Sequence, residues 1–317
     1  MIPSLPRGTR IAATLLIAAA AAGATAAPAS AAPATGAPVA AASAVASERS
    51  TSKAPATQPL RILLTNDDGW NAPGITAVYD ALVAAGHDVT MFAPATNQSG
   101  VGARATFGGS LQVTQPEAGK YALAGSPADS VELGLATAFA DGAPDLVISG
   151  TNVGQNIGAA TVHSGTIGAA VTALNEGIPA IAVSTEVGAT GGPFAETAAF
   201  VVRLVAQLDR LTGAGPILPN GIGLNVNYPI VDDGGTPGVA LTSTGKGFLD
   251  VTGTGVLPQV GGTSSIAVGV NVDAVETVKN ADTTALASDD IAITPITGSY
   301  DAVPNGGLLK QLVSALR

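Results

Sequence analysis

Residues 61–74, RILLTNDDGWNAPG, decide the fold of this chain. Residues 62–64 are an apolar run typical of a buried parallel strand. Asp67 and Asp68 follow at the carboxyl end of that strand, which is where open α/β sheets bind ligands. Two adjacent carboxylates are costly to bury unless a partner neutralises them, and hard divalent cations prefer such oxygens. The stretch therefore predicts either half of a metal site or a solvated Asx turn, because Asn, Asp and Gly also form turns.

Strand and helix patterns alternate from residue 60 to residue 212. Short apolar runs predict strands at residues 62–65, 88–93, 145–149 and 179–184. Helical spacing and capping residues predict helices at 74–85, from the Ser126 cap onward, from Ser164 or Thr166 to about 176, and at 195–211. The alternation predicts an α/β fold with a mostly parallel sheet. Two strand-like runs, 111–114 and 121–124, predict a β-hairpin insertion.

The sequence after residue 213 has a different texture. It is rich in Gly and Thr, with predicted strands at residues 224–229, 239–242, 266–272 and 291–297 and a closing helix at 307–316. We interpret residues 213–317 as a C-terminal β-rich extension, serving either as a subdomain or as an oligomerisation arm.

The first 59 residues predict an exported chain. Arg7 and Arg10 precede an apolar segment at 11–22 and small-residue cleavage sites, so residues 1–31 are predicted to be a cleaved signal peptide. An uncleaved anchor is the alternative, but the apolar segment is short for a stable membrane span. Residues 32–59 are rich in Ala, Pro, Ser and Thr and predict a disordered linker. We therefore expect a secreted protein.

Composition limits the classes of function. The net charge of −10 argues against binding of a nucleic-acid polymer, which needs clustered Lys and Arg. It leaves room for a small anionic substrate, because a bound metal can invert the local field. The chain has no cysteine, which excludes disulfides, zinc–thiolate sites and thiol catalysis.

Polar loops follow three separate predicted strands. The first carries Asn66, Asp67 and Asp68, the second carries Asn97 and Ser99, and the third is the glycine-rich loop at residues 149–158. The carboxyl ends of parallel strands lie at one edge of a sheet, so these loops can converge there. Two carboxylates, a hydroxyl and an amide oxygen form a set suited to Mg²⁺, Mn²⁺ or Ca²⁺.

A helix start follows the third loop. Its glycines would let backbone N–H groups approach an anion, and the helix that begins near Ser164 would add terminal amides. Ordinary helix capping is the alternative for this segment. His163 adjoins it and is a candidate general acid, whereas His87 is interpreted as structural or solvated. Trp70 is expected either to pack or to stack on a base.

Five ordered motifs resemble the survival protein SurE family of 5′/3′-nucleotidases. They are NDDG at residues 66–69 with APG at 72–74, AP at 93–94 with NQSG at 97–100, GSPAD at 125–129, SGTNVG at 149–154 and SGT at 164–166. The tail adds NVNYP at 225–229 and ITP at 293–295. Together they extend over most of the predicted α/β region.

The resemblance implies a three-layer Rossmann-like core, at residues 60–212, completed by the C-terminal extension. It implies that Asp67, Asp68, Ser99 and Asn152 bind a divalent cation, and we expect Mg²⁺ or Mn²⁺. It places catalytic contacts at Asn66 with the two aspartates. Phosphate or active-site contacts fall at Asn156, Ser164, Gly165 and Thr166, and the backbone near Gly154 is expected to stabilise phosphoryl charge. A homodimer or tetramer is implied as well.

Metal-assisted hydrolysis of nucleoside 5′- and 3′-monophosphates is the resulting hypothesis. Whether Asp67 is a metal ligand or attacks phosphorus covalently is left open by the sequence. Two alternatives remain: a secreted acid phosphatase of broad specificity, and a non-catalytic protein that binds a nucleotide or phosphate.

Overall fold

The computed structural model describes residues 59–299, apart from 214, 232–233, 248–249 and 272–274, together with residue 314. The predicted signal peptide, nearly all of the predicted linker and nearly all of the predicted closing helix lie outside these residues. Within them, no helix is both long enough and apolar enough to cross a membrane.

A nine-stranded mixed sheet forms the centre of the described chain. Its strands in chain order are β1 (Arg61–Thr65), β2 (Asp88–Pro94), β3 (Val113–Glu117), β4 (Lys120–Leu123), β5 (Leu146–Val153), β6 (Ala180–Thr185), β7 (Ile222–Tyr228), β8 (Gly238–Leu241) and β11 (Asp290–Thr297). They lie in the order β3-β4-β2-β1-β5-β6-β7-β11-β8. The six strands from β4 to β7 in that order are parallel to one another. The expected mostly parallel sheet is confirmed.

Helices cover both faces of the sheet. They are α1 (Pro73–Ala84), α2 (Pro127–Thr137), α3 (Gly165–Asn175), α4 (Phe194–Thr212) and the short α5 (Asp282–Leu286), with a 3₁₀ helix at Gly158–His163 before α3. One hydrophobic cluster joins α1 and α4 to the sheet, and a second joins α2 and α3 to its other face. These are the three layers of the expected Rossmann-like fold.

Strand β1 shows why the layers form. Ile62 and Leu64 pack into the α1–α4 cluster, and Leu63 packs into the opposite cluster. All three side chains are fully buried. Alternate residues of a strand face opposite sides of a sheet, so a continuous apolar run requires cover on both faces.

The predicted hairpin insertion is part of the central sheet. Strands β3 and β4 form an antiparallel hairpin, but β4 also pairs in parallel with β2, with Phe92 opposite Tyr121. The two rings stack with centroids 5.4 Å apart. This packing joins the hairpin to the sheet edge, where we had expected a separate insertion.

The C-terminal segment contributes to the same sheet. Strand β11 pairs antiparallel with β7, and β8 pairs in parallel with β11. A separate antiparallel pair, β9 (Asp250–Thr254) and β10 (Ala267–Asn271), stands apart from that sheet. The segment therefore contributes strands to the central sheet and also forms a separate two-stranded hairpin.

Candidate functional site

The site lies in the loops that follow β1, β2 and β5 at their carboxyl ends. Asn66 holds the first loop: its amide nitrogen donates to the Gly69 carbonyl over 2.9 Å, and its amide oxygen accepts from the Gly69 N–H. Asn66 is completely buried. These contacts give the side chain a positioning role within the loop, and its predicted catalytic contact stays a prediction.

Asp67 lies against the start of helix α3. Its Oδ1 accepts a 2.7 Å hydrogen bond from the Thr166 hydroxyl, and the backbone amides at Gly165 and Thr166 also donate to its carboxylate. A Cβ added to Gly165 would lie 2.8 Å from the Asp67 Cβ, so only glycine fits there. Burial raises the pKa of Asp67 above its usual value, although these donors lower it in part.

Asp68 is held by a different element. Its Oδ2 accepts a 2.9 Å hydrogen bond from the Val153 N–H at the end of β5, and Asn97 Nδ2 lies 3.5 Å from its Oδ1. Burial, followed by the negative charge of Asp67, raises the pKa of Asp68 to about 7. Among the described residues, neither carboxylate is paired with Lys or Arg.

Asn152 and Ser99 complete the predicted ligand set. Asn152 is 9% exposed, and its Nδ2 donates to the Gly154 carbonyl over 2.7 Å, which leaves its Oδ1 as the available oxygen. Ser99 is exposed, and its backbone N–H donates to Asn97 Oδ1. Asn97 thus links the Ser99 loop to Asp68, a role that its position beside Ser99 in the sequence could have indicated.

The donor set fits a hard divalent cation. Asp67 is buried and Asp68 is half-buried, both have raised pKa values, and neither has a basic partner in the described residues, so the pair needs positive charge to remain ionised together. In the part of the chain that the structure describes, no cluster of three or more His, Cys, Asp or Glu side chains occurs, so neutral oxygens such as Asn152 Oδ1 would have to complete the ligand set. Carboxylate, amide and hydroxyl oxygens suit Mg²⁺ or Mn²⁺.

The predicted phosphate-binding residues are largely engaged with the protein itself. The Gly154 N–H donates to the Thr185 carbonyl over 3.0 Å, so it is not free for the phosphoryl group as we had expected. Asn156 is buried, and its Nδ2 donates to Ser184 Oγ over 2.8 Å. Its backbone N–H donates to Asn227 Oδ1 over 2.7 Å. These contacts fix the loop after β5.

The start of α3 has two uses. Ser164 is its N-cap, with Oγ accepting from the Ile167 N–H over 3.1 Å. The hydroxyl of Thr166 and the first amides are turned toward Asp67, and we had expected them to contact phosphate directly. A pocket of about 390 Å³ opens beside this helix start, and its lining includes Ser164, Ile167 and Ile296.

The remaining candidates occupy different environments. His163 is exposed at the end of the 3₁₀ helix, and its carbonyl accepts from the Gly102 N–H. His87 Nδ1 accepts from the Leu60 N–H, as a structural residue would. Trp70 is half-buried and packs against the α1–α4 hydrophobic cluster, as the first of its two expected roles requires.

Two carboxylates that support the site loops were missed in the sequence. Asp129 accepts from the N–H and hydroxyl of Thr106, which lies at the far end of the Ser99 loop. Asp282 accepts from the Gly158 N–H on the loop after β5. Asp129 lies in the GSPAD motif, whereas Asp282 sits 124 residues from Gly158 in sequence, so nothing local indicated that contact.

Comparison with known proteins gives one consistent result. The family model described as Survival protein SurE matches residues 62–250. A 5′-nucleotidase SurE from Geobacter sulfurreducens is 39% identical over 241 residues, which are 75% of this chain and 87% of the relative. One from Jannaschia sp. (strain CCS1) is 32% identical over 264 residues, covering 80% of this chain and 100% of the relative. The crystal structure of Sure protein from Aquifex aeolicus aligns with a TM-score of 0.67 at 29% identity, over 81% of this chain and all of that one.

Proposed function

This chain belongs to the survival protein SurE family, and from that premise we propose that it is a metal-dependent nucleotidase. It would hydrolyse nucleoside 5′-monophosphates, and 3′-monophosphates as well, to nucleoside and phosphate. The observation that carries this proposal is the Asp67–Asp68 carboxylate pair, buried at Asp67 and half-buried at Asp68, which has no Lys or Arg partner among the described residues and lies with Asn152 Oδ1 at the carboxyl edge of the sheet.

The proposed metal ligands are Asp67, Asp68, Asn152 and Ser99, with Mg²⁺ or Mn²⁺ as the ion. A bound divalent ion supplies Lewis-acid polarisation of a phosphoryl oxygen and lowers the pKa of a bound water. Thr166 and the first amides of α3 hold Asp67 in place and spread its charge. That environment suits a ligand better than an attacking nucleophile, so we assign Asp67 the ligand role.

The pocket beside α3 is our candidate for the nucleoside. Its volume of about 390 Å³ is within the range of small-molecule sites, and Ser164 links it to the helix that holds Asp67. Its lining mixes apolar side chains such as Ile167 and Val171 with hydroxyls such as Thr161. That mixture suits a nucleoside, which has an apolar base face and a polar sugar.

We also propose how the chain assembles and where it acts. Side chains between β9 and β10 are strongly exposed and apolar, namely Val256, Leu257 and Val260. They are our proposed contact for a homodimer or tetramer, to be checked by light scattering at micromolar concentration.

We propose secretion from the signal-peptide pattern of residues 1–31, and sequencing the N-terminus of exported protein would test it.

Phosphate release from a substrate panel tests the function. The panel contains AMP, 3′-AMP and p-nitrophenyl phosphate, each with Mn²⁺ and with EDTA. We expect turnover of both nucleotides that EDTA abolishes and Mn²⁺ restores. A faster reaction with p-nitrophenyl phosphate would instead indicate a broad-specificity phosphatase. Binding of AMP without phosphate release would contradict an enzyme altogether.

A further inference from the structure

Asp282 is a completely buried carboxylate in the C-terminal segment. Its Oδ1 accepts three backbone hydrogen bonds, from Thr283 at 2.8 Å, Gly245 at 2.9 Å and Gly158 at 3.1 Å. Its Oδ2 has no hydrogen-bond partner among the described residues. Burial raises the pKa of Asp282, and the nearby charge of Glu276 adds to this rise. Burying a carboxylate costs free energy, so a carboxylate kept at this position is expected to have a structural or functional role.

The contact with Gly158 joins the C-terminal segment to the loop after β5. A second bond supports it, from the Ala159 N–H to the Gly247 carbonyl at 3.1 Å. A Cβ on Gly158 would overlap that same carbonyl, so the two segments touch closely. Thus the C-terminal segment, which is distant in sequence, holds the beginning of the 3₁₀ helix.

The loop held in this way connects two parts of the proposed metal site. Asn152 lies at its start, and the 3₁₀ helix at its end leads into α3, where Thr166 holds Asp67. A shift at Gly158 would therefore change the positions of both Asn152 and Thr166. Partners that hydrogen-bond directly to metal ligands typically change metal affinity by about 10- to 100-fold when removed, and a residue that acts through the intervening loop should change it less.

We propose that Asp282 is a positioning residue for the metal site, acting through the Gly158 N–H. This inference rests on the proposed function only for the presence of a metal; it does not require that nucleotides be the substrate. Removing the carboxylate leaves three backbone N–H groups without an acceptor and releases the loop between Asn152 and α3.

The cluster offers a matched control. Glu276 lies beside Asp282, and its carboxylate accepts from the backbone at residues 246, 247, 277 and 278 and from the Thr283 hydroxyl. None of these residues belongs to the loop after β5; Gly247 contacts that loop through its carbonyl, and Gln at position 276 keeps an acceptor for the Gly247 N–H. Glu276→Gln therefore perturbs the same segment while leaving the bond to Gly158 in place, and a change to Asp282 perturbs both.

Titration of the full chain with Mn²⁺, followed by electron paramagnetic resonance, tests the proposal. We expect Asp282→Ala to weaken Mn²⁺ binding about three- to tenfold, less than the loss typical of a residue that contacts a ligand directly. Asp282→Asn, which keeps an acceptor oxygen, should weaken it less, and Glu276→Gln should stay within about twofold of the wild type. Thermal melting of each variant identifies any loss of folded protein, and the Asn variant is expected to remain folded if the Ala variant does not.

The possible failures can be told apart. A lower melting temperature for both Asp282 variants with unchanged Mn²⁺ affinity would overturn the proposal and leave Asp282 with a stabilising role alone. An equal loss of affinity in Glu276→Gln would also overturn it. Absence of Mn²⁺ binding by the wild type would overturn both this inference and the metal assignment. Mn²⁺ binding that depends on Asp282, without nucleotide turnover, would uphold the inference and contradict only the proposed function.

Discussion

Asp67 and Asp68 are neighbours in the sequence, but separate elements hold them. The hydroxyl of Thr166 on α3 binds Asp67, whereas the Val153 N–H at the end of β5 binds Asp68. Any rearrangement between the helix and the strand would therefore change the distance between the two carboxylates. At the residue scale, the site depends on donors that orient the acids as much as on the acids themselves.

Replacing Thr166 tests this dependence. In Thr166→Val the buried Asp67 loses a hydrogen bond to its charged form, and we expect a loss of about 1.5–3 kcal/mol in the free energy of unfolding. Turnover should fall about tenfold because Asp67 is less well oriented. Thr166→Ser keeps the hydroxyl and should recover most of both. Denaturant unfolding and phosphate release measure the two effects, and equal behaviour of the Val and Ser variants would contradict the assigned contact.

At the scale of elements, β5 is the strand that brings the ligands into place. Its pairing with β6 shifts register between Ser149 and Asn152, which changes the direction of the chain just before the loop. Gly150 sits in this irregularity with a φ of 135°. A Cβ there would overlap the backbone carbonyl of Val183 on β6. The glycine thus allows the register shift that presents Asn152 at the site.

Alanine at position 150 should be poorly tolerated. Its Cβ would meet the Val183 carbonyl in addition to the positive φ, and we expect unfolding at a clearly lower temperature, with a loss above the roughly 1–3 kcal/mol of the backbone strain alone. Gly86→Ala is the matched control, since Gly86 also has positive φ but its Cβ would meet nothing within 4 Å. Similar melting temperatures for the two variants would show that the overlap with β6 is unimportant.

The elements that the sequence predicted are those with strong local patterns. The apolar run of β1 and the amphipathic helix α4 are observed within one or two residues of the expected bounds. The five-residue α5 was missed because so short a helix has too few residues for a periodic pattern. The position of the β3–β4 hairpin was missed because strand pairing depends on distant partners such as Phe92 and Tyr121.

The candidate site likewise combines residues that local patterns indicate with contacts that depend on distant partners. Residue types at the strand ends indicated Asp67 and Asp68, and the family resemblance indicated Asn152; metal binding by these residues stays a prediction. The sequence could not show that Thr166 donates to Asp67, because that bond joins residues 99 positions apart. It also could not show that the Gly154 N–H donates to the Thr185 carbonyl. Long-range hydrogen bonds decide these roles, and no local pattern encodes them.

At the scale of the whole molecule, the C-terminal segment supports the site through hydrogen bonds to the loop after β5. Asn225 and Asn227 of β7 bind the backbone of Asn156, and Asp282 of α5 binds that of Gly158. The segment is therefore joined to residues 60–212 by buried polar contacts in addition to sheet pairing. We expect its stability and that of the site to be linked.

Acid should weaken the C-terminal segment itself in a predictable range of pH. Burial disfavours the charged form of Glu276, but its many hydrogen bonds outweigh this and lower its pKa from 4.5 to about 2. A carboxyl whose pKa is lowered by folding stabilises the fold above its ordinary pKa and loses that contribution as the pH falls toward the folded value. The difference in unfolding free energy between the wild type and Glu276→Gln should therefore shrink as the pH falls from about 5 to about 2. A difference that is constant over this range would contradict the contacts assigned to Glu276.

The most direct test of the central claim is the turnover of AMP with saturating Mn²⁺ by Asp68→Asn, compared with the wild type. Asn keeps the size of the side chain and an acceptor for the Val153 N–H, but it removes the charge that the ion requires. If Asp68 is a metal ligand, the lost transition-state stabilisation is several kcal/mol, and the rate should fall on the order of a thousandfold while the protein stays folded. Near-normal turnover by folded Asp68→Asn would contradict the assignment of this carboxylate pair as the metal site.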